Sequence, residues 1–202
     1  MMTLYLHGFR SSPNSFKAQL MREAFATRGL LDYWCCPRLP ASPRAAIDLA
    51  QAQAHELSRQ CARPLSQLSI VGSSLGGFYA IVLAQALDCR AVLLNPAVHA
   101  ARDLATQVGK HTLYHSDEPM TFLPEYVNEL AQMSVEKISK PERYLLIAAT
   151  GDELLDWREM AAFMSGAKQI IVPGSDHGLS DFEKYLPDVL RFAGMTAKNQ
   201  TG

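Results

Sequence analysis

The chain has 202 residues, 48% of them hydrophobic and 19% charged. Those are ordinary proportions for a folded protein, and the length suffices to bury about 70% of the unfolded surface without disulfides or a structural metal. With 19 Lys+Arg against 20 Asp+Glu the formal net charge is −1, which counts against a nucleic-acid binder. No apolar run approaches the roughly 18 residues of a membrane span.

Met1–Gly8 has no basic segment followed by an apolar one, so it reads as a strand and not as an export leader. Cys35, Cys36, Cys61 and Cys89 form no C-x-x-C pair and read as reduced thiols. The expectation is a cytoplasmic protein with one domain over residues 1–194 and a flexible tail over 195–202.

Strand-like and helix-like segments then alternate. Thr3–His7 is short and β-rich and ends at Gly8. Ser12-Pro13 supplies a cap and first-turn pair, and Phe16, Leu20, Ala24 and Phe25 recur at helical spacing before Gly29. Asp32–Cys36 predicts a second strand, closed by Pro37. Ser42-Pro43 opens a helix whose apolar stripe is Ala46, Ile47, Ala50, Ala54 and Leu57.

Leu68–Val71 is the third strand, followed by Gly72-Ser73-Ser74-Leu75-Gly76-Gly77 and a helix to about Leu87. Ala91–Leu94 and Tyr144–Ala148 are nearly all apolar, as central parallel strands are. A helix around Asp156–Ser165 and a strand at Gln169–Val172 follow. Ser180-x-x-Glu183 reads as a capping box for a last helix that Pro187 would kink.

Six strands with helices between them predict an α/β protein, a mostly parallel sheet covered on both faces in three layers. One connection is long. Residues 96–142, with helix-like pieces near Ala100–Val108 and Leu123–Met133, form an insertion placed to act as a cap, the alternative being a packing excursion.

Gly72-Ser73-Ser74-Leu75-Gly76 matches G-x-S-x-G between an apolar strand and a helix, the setting of a nucleophile elbow. Small flanking residues let the turn tighten while Ser74 stands out at a helix N-terminus, where N–H groups favour developing negative charge. Ser73, at the x position, is not expected to point into the site. A serine hydroxyl needs a base. Among six histidines, His55 reads as a surface residue, His99, His111 and His115 lie in the insertion, and His7 ends the first strand. His177 follows the last strand in a loop at the carboxyl end of the sheet, where open α/β sheets place their functional groups.

The orienting carboxylate is expected between Ser74 and His177 in the chain. Asp152 is preferred, with Asp156 as rival and a possible helix cap, and Glu153 and Asp176 as weaker rivals. Oxyanion donors are expected at the backbone N–H groups of Leu75 and Phe9, the latter in the loop opened by Gly8. Arg10 is open to two readings, an anionic substrate group or a neighbouring carboxylate. Leu113, Tyr114, Met120, Phe122, Leu123 and Tyr126 are candidates for apolar walls, Tyr114 and Phe122 foremost with Arg10 as substrate-binding residues, against the alternative of core packing. No histidine–carboxylate cluster has metal-ligand spacing, so neither metal nor cofactor is expected.

Leu4-Tyr5-Leu6-His7-Gly8-Phe9 with Ser11-Ser12-Pro13, Ile70–Gly77, Asn95-Pro96-Ala97-Val98, Thr150–Glu153 with Leu155-Asp156, and Asp176-His177 together resemble the α/β-hydrolases, more narrowly the small bacterial esterases of the YqiA type. The resemblance implies a trimmed α/β-hydrolase sheet of about six strands without the usual first two, and a serine esterase acting through Ser74, Asp152 and His177. Its substrate would be a small acyl ester or thioester. A non-catalytic ligand-binding protein on the same fold, or an acyltransferase or peptidase using the same residues, are the competing readings. Oligomeric state is not addressed by the sequence.

Overall fold

The computed structural model describes residues 1–114 and 116–195. His115, and the part of the expected tail from 196 to 202, lie outside the described residues.

Six parallel strands form the central sheet: β1 (Met2–Leu6), β2 (Trp34–Cys35), β3 (Leu68–Ser73), β4 (Arg90–Leu94), β7 (Tyr144–Ala149) and β8 (Lys168–Val172), in the order β2-β1-β3-β4-β7-β8. Alternate residues of each strand point to opposite faces. Leu4, Leu6, Ile70, Leu93, Leu146 and Ala148 face one side, against α2 (Pro43–Gln60), α3 (Leu75–Leu87) and α6 (Trp157–Phe163). Tyr5, Val71, Val92, Leu94, Leu145 and Ile147 face the other, against α1 (Phe16–Ala26) and α7 (Leu186–Phe192). The three layers therefore follow from strands that are apolar on both faces.

The chain leaves β1 toward β2 on one side, while β3 and β4 run to the other, so the loops after β1 and β3 diverge. Leu6 pairs with Gly72 across these two strands. Gly8 and Ser74 thus emerge side by side at the carboxyl edge, at a topological switch point.

Several boundaries differ from the sequence expectation. The first helix starts at Phe16 with Ser15 at its cap, because Ser12 is held in a turn in which its carbonyl accepts from Ser15 N–H at 3.1 Å. The second strand shrinks to two residues, since Leu31–Tyr33 winds as a 3₁₀ turn. Ser180 caps no helix: its own N–H donates to Asp176 Oδ1 at 3.0 Å, and a 3₁₀ turn at Phe182–Lys184 precedes α7. Pro187 then sits in the first turn of α7, where a missing N–H leaves no bond unmade, so the expected kink does not form.

The connection between β4 and β7 holds α4 (Ala100–Leu104), a 3₁₀ turn at Ala105–Gln107, an antiparallel hairpin of β5 (Gly109–Thr112) and β6 (Pro119–Phe122), and α5 (Pro124–Met133). The helix expected to reach Val108 is thus shorter, and the hairpin is new. Helix α5 docks on the start of α2. Glu129 Oε2 accepts from Ser42 Oγ and Arg44 N–H, both at 2.9 Å, placing a carboxylate where the helix dipole favours one. Among the described residues no helix is long and apolar enough to cross a membrane.

Candidate active site

Ser74 joins β3 to α3 with φ 55° and ψ −120°. Its neighbours must be small. A Cβ on Gly72 would lie 2.1 Å from Gly76 O, and one on Gly76 would lie 2.0 Å from Leu6 O. The turn is pinned by Ser74 N–H donating to Leu94 O at 3.0 Å, while Ser74 O accepts from Gly77 and Ala97 N–H at 2.9 and 3.1 Å.

The structure brings Ser74, His177 and Asp152 together from three separate loops. His177 Nε2 lies 2.9 Å from Ser74 Oγ, and His177 Nδ1 lies 2.8 Å from Asp152 Oδ2. The carboxylate accepts only, so Nδ1 carries the hydrogen and Nε2 presents its lone pair to the serine hydroxyl. Asp152 Oδ1 accepts from Leu154 and Leu155 N–H, each at 2.9 Å. The Asp152 side chain is fully buried and that of His177 is 16% exposed, so the imidazole alone of the two borders the cavity.

The rivals have other partners. Asp156 caps α6 through Arg158 N–H at 2.9 Å. Glu153 accepts the backbone N–H of His177 at 3.0 Å, and Asp176 accepts that of Ser180.

His7 shapes the loop after β1. Leu39 N–H donates to its Nε2 at 3.0 Å, which leaves Nδ1 protonated and donating to Gly8 O, also at 3.0 Å. Burial holds this imidazole below its ordinary range, in keeping with a neutral ring. The Gly8 carbonyl accepts from Ser11 N–H as well, at 3.2 Å. In a trans peptide the N–H points opposite to the carbonyl, so fixing Gly8 O also fixes the direction of Phe9 N–H. A Cβ on Gly8 would meet Ser74 Cβ at 3.2 Å, which places this loop directly against the serine. Leu75 is the first residue of α3, where a backbone N–H has no intrahelical acceptor.

Asn95, at the end of β4, was not assigned a role from sequence. It is fully buried with φ 43°, and its amide joins three strand ends. Nδ2 donates to the carbonyls of Asp176 and His177, both at 3.0 Å, while Oδ1 accepts from Ala149 N–H at 2.8 Å. The signal available in the sequence was an amide closing an otherwise apolar central strand.

A cavity of about 850 Å³ opens over Ser74 and His177, walled by Phe9, Phe16, Ala97, Leu104, Tyr114, Leu154 and Leu155. Tyr114, one of the candidate wall residues, borders this cavity. Arg10 Nε donates to Thr112 O at 2.7 Å, and its guanidinium lies 4.5 Å from the Tyr114 ring centre. It fastens the hairpin to the loop after β1, on the wall of a smaller cavity of about 300 Å³ that also holds Leu113 and Met120. Phe122 is only 1% exposed and lines neither cavity. Its ring packs edge-on against Phe9 and Tyr126, with centres 5.2 and 5.5 Å away, so it backs the wall from behind because β6 turns it toward α5. Tyr126 is likewise a packing residue. His111 packs edge-to-face with Phe9, ring centres 5.4 Å apart, and bonds to Gln107 O, and His99 packs edge-to-face with Phe163.

Solved structures of similar shape share one fold. One of the metagenome-derived lipolytic enzymes LipS and LipT aligns with a TM-score of 0.69 at 17% identity, covering 95% of this chain and 92% of that one. Est1E from Butyrivibrio proteoclasticus, with ferulic acid bound, gives 0.68 at 14%, covering 95% and 87%. Mouse alpha/beta hydrolase domain-containing protein 10 gives 0.62 at 15%, covering 94% and 89%. At such identities the likeness is one of fold, and the fold is that of the α/β-hydrolases. The sequence itself matches the model of the Uncharacterised protein family UPF0227 over residues 2–194, and the chain belongs to that family.

Proposed function

We propose that the protein is a serine hydrolase that cleaves a small carboxylic ester or thioester through an acyl-enzyme. The observation that carries this reading is the unbroken line Ser74 Oγ, His177 imidazole, Asp152 carboxylate, at 2.9 and 2.8 Å, with Ser74 and His177 opening onto a cavity of mixed apolar and polar lining. The lipolytic and ferulic-acid-bound relatives in fold support an ester substrate.

The chemistry follows from the assigned hydrogens. Ser74 Oγ attacks the acyl carbonyl as its proton passes to His177 Nε2, and Asp152 stabilises the imidazolium. Negative charge gathers on the carbonyl oxygen, which the N–H groups of Phe9 and Leu75 receive. The tetrahedral species collapses, Nε2 returns the proton to the departing alcohol or thiol, and the acyl group stays on Ser74. Water then enters by the same route: His177 takes its proton, the hydroxide adds, and Ser74 leaves with that proton to give the acid.

Residues 96–142 act as the roof in this reading, since Ala97, Leu104 and Tyr114 border the cavity. Arg10 keeps Tyr114 in the wall. Labelling with a fluorophosphonate probe, followed by peptide mapping, tests the claim alongside hydrolysis of p-nitrophenyl esters. The expected adduct is on Ser74 and is lost in Ser74→Ala, with hydrolysis. A folded wild type that gives neither adduct nor hydrolysis would overturn the reading in favour of a ligand-binding protein.

A further inference from the structure

Lys17 has no part in the reaction just described, yet it lies within the site. It is buried in the first turn of α1 and borders the same cavity as Ser74 and His177. Two costs attach to it there. A cation at a helix N-terminus opposes the helix dipole, and a buried ammonium loses its water. What it gains is the carbonyl of Gly178, to which Nζ donates, and the nearby carboxylates of Asp176 and Asp152.

The turn that carries His177 is thereby held on three successive carbonyls. Asn95 takes those of Asp176 and His177 from the end of β4, and Lys17 takes that of Gly178 from α1. We propose that Lys17 is a positioning residue for His177, a latch whose ammonium holds the histidine turn in register with Ser74 and whose deprotonation slackens it. The proposal rests on His177 being the base.

Burial lowers the ammonium to about 8, against the opposing pull of Asp176 and Asp152. Of the titratable groups bordering the cavity from other elements, Tyr5 on β1 is buried and its hydroxyl pushed far up. Asp103 on α4 is paired with Arg102, Tyr114 lies under Arg10, and Glu153 receives His177 N–H. Charged Lys17 donates a charge-assisted bond, roughly twice as strong as the neutral amine's. A base such as His177 stays active as pH rises, so loss of rate above pH 8 needs a second group.

Ester hydrolysis from pH 6 to 10 and hydrogen–deuterium exchange over residues 175–180 are measured on wild type, Lys17→Met and Lys17→Arg. Wild-type kcat should plateau and then fall above about pH 8. Lys17→Met, which keeps the buried stem, should lose about 10- to 100-fold in kcat with KM little changed, show no alkaline fall, and exchange faster over 175–180. Lys17→Arg, which keeps its proton throughout, should hold its rate to pH 10. Exchange in Lys17→Met equal to wild type overturns the latch, and so does an unaltered kcat or an alkaline fall that persists in it. If wild type hydrolyses no ester but Lys17→Met still exchanges faster, the Ser74 reading fails while the holding of the turn stands.

Discussion

Asp152 uses both carboxylate oxygens, one on the imidazole and one on two backbone N–H groups. Asp152→Asn keeps the shape but offers an amide where only an acceptor suits, and it selects the wrong histidine tautomer. A loss of about 10⁴ in kcat is expected. Asp156→Asn, measured beside it, should stay within a few-fold, because that side chain caps α6 and pairs with Arg158, away from His177. His7 makes a subtler case. His7→Phe removes the donor to Gly8 O and the acceptor for Leu39 N–H, freeing the peptide that aims Phe9 N–H. A drop of about 10²-fold in kcat with KM nearly unchanged is expected, the cost of a misaimed oxyanion donor. Equal loss in KM would instead mark a deformed cavity.

At the scale of elements, the strands and the elbow were legible because their signals are local. Apolar runs such as Ala91–Leu94 and Tyr144–Ala148 need no partner to be recognised, and the glycines around Ser74 answer to sterics within one turn. What was not legible depends on distant contacts. The hairpin β5–β6 lacks a strong turn dipeptide and is held through Arg10 to Thr112 and Tyr114 N–H to Arg10 O. Phe122 looked like a substrate wall because sequence does not say which face of a hairpin lies under Phe9. Pro187 was read as a kink because the helix start depends on where the preceding 3₁₀ turn ends. The docking of α5 on α2 is testable in the same terms. Glu129→Ala removes the acceptor for Ser42 and Arg44 at a helix start, and a loss of about 1–2 kcal/mol in denaturant unfolding is expected.

At the scale of the whole molecule, buried groups such as Cys89 and Lys17 pull stability in opposite directions with pH. Cys89 is pushed up to about 12 from 9.0, so above pH 9 the unfolded chain gives up a proton that the folded one keeps, and stability falls, by about 2 kcal/mol at pH 10.5. Lys17 is lowered to about 8 from 10.5, so above pH 8 the folded chain gives up the proton first, and stability rises, by about 3 kcal/mol over the same range. Urea unfolding of wild type and Lys17→Met between pH 7 and 10.5 should therefore diverge, the variant declining faster. Parallel declines would show that the ammonium is not perturbed.

Ser74 carries a different consequence. Its φ of 55° and ψ of −120° belong to the glycine position of a tight turn. Ser74→Gly should unfold at higher urea, by about 1 kcal/mol, whereas Ser74→Ala, with the same Cβ, should gain nothing, and both should be inert. The fold would be sturdier without a Cβ at this position. Under the proposed function, that strain is the cost of holding a nucleophile out at the edge of the sheet.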